Sequence, residues 1–78
     1  MLTEVKIMKY RMFPHLIVVE NRVYKSYGLV ATEKNCATLI LKDVSMDRNA
    51  VEQLVKDLNI QQIRLNCLDA VLTNFFEQ

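Results

Sequence analysis

Side chains able to do chemistry are few in this chain, and they are scattered. His15 is the only histidine and follows Pro14. A lone imidazole serves as a general base only when a second group orients it and a nucleophile stands within reach, and the sequence nominates neither. Asp43 and Asp47 are four residues apart and could share a divalent cation, but a capping role ahead of a helix accounts for them with less. Asp57 and Asp69 fall in separate segments with no partner pattern. Cys36 and Cys67 form neither a CxxC pair nor a zinc-finger spacing. They read as small buried apolar side chains in a reducing cytosol, with a strand-to-helix disulfide as the other option. Gly28 is the only glycine, so no glycine-rich loop cradles a phosphate, and no nucleophile elbow is present. The expectation is a protein that is not an enzyme and carries no metal or cofactor.

A second set of residues suits binding. Lys9, Tyr10, Arg11, Arg22, Tyr24, Lys25 and Tyr27 all fall in segments that read as strands. A sheet face with aromatic rings among Lys and Arg can stack bases while neutralising phosphates. The net charge is only +1, yet its distribution is uneven. Residues 1–42 carry seven Lys and Arg against three Glu, whereas residues 43–78 carry three against six Asp and Glu. Such polarity steers an acidic partner to one side or lets two copies meet head to tail.

The elements that must position these groups follow from periodicity. At 78 residues the chain fits one domain, spanning 1–78, and its 51% hydrophobic content argues for a folded chain with a small core. Residues 3–12 alternate, with Val5 and Ile7 on one face and Met8, Tyr10 and Met12 on the other, a phase slip of the kind a β-bulge produces. Phe13 and Pro14 predict a turn or a strand edge. Residues 16–32 are rich in β-branched and aromatic side chains and read as strand, with Glu20-Asn21-Arg22 either a hairpin turn or a bulge. Gly28 inside it marks a bulge or a close approach of another backbone. Residues 32–35 suit a hairpin connection, and 37–44 form the last strand, with Ala37, Leu39 and Leu41 facing one way and Thr38, Ile40 and Lys42 the other. The period then changes: Val51, Leu54, Val55 and Leu58 make one face of a helix over about 47–58, capped by Ser45 or Asp47 and closed by Asn59. Leu65, Leu68, Val71, Leu72, Phe75 and Phe76 mark a second helix over about 66–76. Strands followed by helices predict an α+β fold, an antiparallel meander of three or four strands with both helices on one face.

The segments KYRMF (9–13), SYGLVAT (26–32), LKDVSMDRNAVEQLV (41–55) and IRLNCLDAVLTNFF (63–76) together resemble a group of short bacterial proteins found mainly in Firmicutes. In that group a YRYY-like strand precedes a TYGI strand, and a C-terminal helix reads roughly hL-DVV-DFL. The resemblance covers most of the chain from Lys9 on. It implies the fold and carries no activity, since the group has no established function. Gln62 and Arg64 stand where Pro and His are common in the group.

If the helices cover one sheet face, the other still carries apolar side chains, expected to include Met8, Met12, Val18 and Ile40. Phe75 and Phe76 diverge by about 100° on a helix, so one of them is a candidate interface anchor. These six residues predict a protein partner or a second copy, as in a small regulator or inhibitor. The competing expectation is nucleic-acid binding through the basic, tyrosine-bearing set. The apolar runs 16–19 and 39–41 are far shorter than the roughly 20 residues of a membrane-spanning helix. No signal-peptide pattern opens the chain, so no membrane association and a cytoplasmic location are expected.

Overall fold

The computed structural model describes residues 7–34 and 38–77. Three strands, β1 (Met8–Val19), β2 (Arg22–Glu33) and β3 (Thr38–Ser45), form an antiparallel sheet in the order β1-β2-β3. Helices α1 (Arg48–Gln61) and α2 (Leu65–Phe76) follow. The expected α+β meander is therefore present, with three strands.

β1 does not turn at Pro14. It runs straight through, and Pro14 faces Tyr27 of β2 in an unbroken register from Met8↔Glu33 to Val19↔Arg22. Alternate residues of an antiparallel strand aim their backbone groups at opposite edges. Met8 and Tyr10 aim theirs outward, and Pro14 shares their parity, so its missing N–H falls on the open edge of an edge strand, where no ladder bond is lost. Ile7 is a bend ahead of β1, and residues 3–6, against which the expected phase slip would be seen, lie outside the described residues.

Glu20 (φ 50°) and Asn21 (φ 64°) both adopt the left-handed conformation, so the segment left open between turn and bulge is a two-residue hairpin turn. Two left-handed residues define the type I′ turn, whose twist matches that of the flanking strands. Gly28 meets both readings made for it. A Cβ there would lie 1.8 Å from the Leu41 carbonyl oxygen, and the β2–β3 register shifts at the same place, from Leu29↔Leu41 to Tyr27↔Ser45. Two extra residues of β3 thus bulge over Gly28, and Val44 enters the core.

α1 begins at Asp47, whose side chain accepts a hydrogen bond from the Ala50 N–H at 3.2 Å, while Ser45 Oγ accepts one from the Asp47 N–H at 3.1 Å. Both predicted cap residues act together. Asn59 does not close the helix: α1 continues to Gln61 and ends at Gln62, which is left-handed at φ 51°. α2 starts after Arg64, which lends no side-chain cap. Cys67 is exposed on α2, contrary to the buried role expected of it, and Cys36 lies outside the described residues.

The core lies between the sheet and the helices. Met8, Tyr10, Leu29, Ala31 and Val44 meet Val51, Leu54, Leu58, Leu68 and Leu72. This two-layer packing leaves the opposite sheet face without a covering helix among the described residues. The molecule extends 55 × 25 × 20 Å with a radius of gyration of 13.9 Å, against about 11.5 Å for a compact domain of this length. Part of the elongation has a plain source: β3 pairs with β2 only between Tyr27 and Thr32, so beyond Ser26 the β1–β2 hairpin projects as a two-stranded arm.

Candidate interaction surface

The six residues expected at an interface are dispersed by the fold. Met8 is 1% exposed and Met12 packs against the core. Neither lies on the open face, because the pleat turns the Met8, Tyr10, Met12 side of β1 toward the helices. Val18 has the same parity but sits on the arm, past the reach of the helices, and is 69% exposed. Ile40 does lie on the open face and is exposed. Phe75 packs partly against the core while Phe76 is 59% exposed, the two rings meeting edge to face at 5.6 Å. The divergence expected of adjacent helix positions thus leaves one ring inside and one outside.

Residues that periodicity did not single out complete the arm. Leu16 and Val23 join Val18 on its helix-side face, all of them more than 60% exposed, and Val19 is exposed on the other face. A run of valines reads as buried strand, and only the short pairing range of β3 reveals that no described element covers it.

The basic and aromatic set is divided between two faces. Lys9, Arg11, Arg22 and Tyr24 lie on the open face, whereas Tyr10, Lys25 and Tyr27 lie on the helix side. Tyr10 is buried and its hydroxyl donates to the Ile63 carbonyl. Burial first, then the negative charge of Glu33 and Cys67, push its pKa above the usual 10.0. Tyr27 packs against the core with the Lys25 ammonium 5.8 Å from its ring centroid. Of the three tyrosines only Tyr24 belongs to the open face, so the seven residues do not form a single stacking platform. A shallow groove of about 490 Å³ at the outer edge of β1 does gather Lys9, Arg11 and Lys34.

His15, Ser26 and Asp43 come close on the open face, but not as a catalytic relay. His15 faces Ser26 across the β1–β2 ladder and its ring stacks on Phe13 at 5.9 Å. Ser26 is wholly buried, and its hydroxyl donates to the Asp43 carboxylate. In a nucleophilic relay the hydroxyl bonds the imidazole and the carboxylate orients that imidazole; here serine and aspartate bond directly, tying β2 to the β3 bulge. Among the described residues no three His, Cys, Asp or Glu side chains converge as a metal site. Nor is any helix among them long and apolar enough to cross a membrane.

One arrangement was invisible in the sequence. Asn59 Oδ1 accepts from the Tyr10 N–H at 2.8 Å and its Nδ2 donates to the Tyr10 carbonyl at 3.0 Å. Gln62 repeats this on Met8, with both bonds at 3.0 Å, and also donates to the Asn59 carbonyl at 2.8 Å. Two side-chain amides thus pair with the outer edge of β1 as a fourth strand would. They cover Met8 and Tyr10 and leave the edge beyond Met12 open. No family model matches the chain, and neither a curated protein nor a solved structure matches it.

Proposed function

We propose that the protein is a small, non-catalytic interaction module of the cytoplasm, a regulator or inhibitor that works as a homodimer or as a subunit of a larger complex. The observation that carries this reading is the uncovered arm, which holds Leu16, Val18 and Val23 together on one face in contact with water. A two-stranded hairpin is marginal by itself in water, and covering apolar surface yields about 25 cal/mol per Å². An arm of this composition gains most from a partner. The exposed Phe76 supports the same role. A bacterial origin, which the resemblance to short Firmicutes proteins implies, suits a small regulator.

The test is recovery of the tagged chain from a lysate of its source organism, with and without nuclease, in parallel with Val18→Asp and Phe76→Glu. The reading expects a protein retained in stoichiometric amount after nuclease and lost with either variant. RNA or DNA retained only at low salt, and lost on replacing Lys9, Arg11 and Arg22 by Glu, would overturn it in favour of nucleic-acid binding.

A further inference from the structure

Two grooves flank the helices on the side away from the sheet's open face. One, of about 390 Å³, runs between α1 and α2 with Leu54, Val71 and Phe75 in its lining and Asp57 as its only charged residue. The other, of about 280 Å³, is lined by Val44, Ser45, Phe75 and Phe76 with Asp47 as its only charged residue. They share Ala50 and Phe75, so they form one trough. The trough ends at Ser45, which pairs with Tyr27 at the root of the arm. Its lining mixes apolar side chains with the amides of Gln53, Gln61 and Asn74, and has an acidic point toward each end. The helix-side face of the arm is the complement, apolar at Leu16, Val18 and Val23 with the Lys25 ammonium beside them.

We infer that the partner is a second copy of this chain, with the arm of each copy laid in the α1–α2 trough of the other. The inference rests on the interaction reading and names its occupant. Trough and arm root adjoin, so a two-fold axis beside Phe76 lets both arms cross at once, as an isologous interface requires. Reciprocal docking covers the exposed face of both arms and both Phe76 rings. It also brings Lys25 of each copy, two residues from the root, to the near end of the other's trough, where Asp47 stands, opposing the basic and acidic halves of the sequence. A single trough cannot accept its own arm, because the hairpin runs continuously paired away from the helices.

The experiment is sedimentation equilibrium of the full chain, of Lys25→Glu and of Asp47→Lys, each alone and then mixed in equal amounts, with circular dichroism checking that Asp47→Lys keeps its helices. The wild type is expected to be a dimer, and each variant alone to have a dissociation constant raised about tenfold or more, because both contacts turn repulsive. In the mixture both contacts become attractive again, so the heterodimer should recover wild-type affinity. Val18→Asp should be monomeric with unchanged circular dichroism. A wild type that stays monomeric, or a mixture that fails to restore association, overturns the inference. If the monomeric wild type still captures a nuclease-resistant protein that Val18→Asp loses, the interaction module stands without the dimer; if it captures none, both readings fall.

Discussion

Tyr10 reads in the sequence as a stacking ring among cations, and it is instead a strut between β1 and the segment that joins the helices. Its phenol holds its proton more tightly in the folded chain than in the unfolded one. The stability this adds is present below pH 10.0 and is lost as the pH rises through the raised folded value. Tyr10→Phe should cost about 1 kcal/mol at neutral pH, the usual net worth of one hydrogen bond, and flatten the alkaline fall. Urea unfolding from neutrality to beyond pH 10.0 checks both. At Gly28 the contact is with backbone that cannot swing aside, since the Leu41 oxygen would lie 1.8 Å from a new Cβ. Gly28→Ala is therefore expected to cost about 3 kcal/mol, at the upper end for overpacking, with a matching drop in thermal midpoint.

The elements are tied to one another by side-chain amides as much as by the apolar core. Gln62 occupies a left-handed helix-end position where glycine is usually favoured. Gln62→Gly would ordinarily relieve strain. Here it also removes three hydrogen bonds, two of them to the edge of β1, so the outcome should be a loss of about 2 kcal/mol. Asn59→Ala removes the other clamp and should cost a similar amount. Hydrogen exchange separates the two, because the freed Tyr10 N–H should exchange faster in Asn59→Ala and the freed Met8 N–H in Gln62→Gly. Such a role leaves no trace in periodicity, because Asn and Gln near a helix end look like ordinary caps and linkers. The cap at the other end was legible, since Asp47 precedes a clear apolar stripe; Asp47→Ala should cost about 1 kcal/mol of stability.

At the scale of the whole molecule, the arm sets the shape and the uncovered surface. Its apolar side chains lie beyond the core, so Val18→Asp should leave the unfolding free energy within about 0.5 kcal/mol of wild type when both are measured dilute enough to be monomeric, while abolishing association. Met12→Asp, in contrast, should unfold the chain, because Met12 packs against the buried cluster. Comparing the two variants by circular dichroism and sedimentation separates residues of the surface from residues of the core, which alternation alone did not.

Periodicity determined by itself that strands precede two helices, that Gly28 marks a close approach, and that Val51, Leu54, Leu58, Leu68 and Leu72 form the buried stripes, because those features depend on local geometry and on which positions of an element recur. It did not determine which side of β1 the helices cover. A strand with apolar residues on both faces presents the same pattern whichever side is buried. Only the tertiary structure decided that Met8 and Met12 are core, that Tyr10 is a strut, and that Leu16, Val18 and Val23 are bare. Those outcomes turn on how far along β2 the third strand pairs and where the helices end, and both are set by contacts between residues distant in the chain.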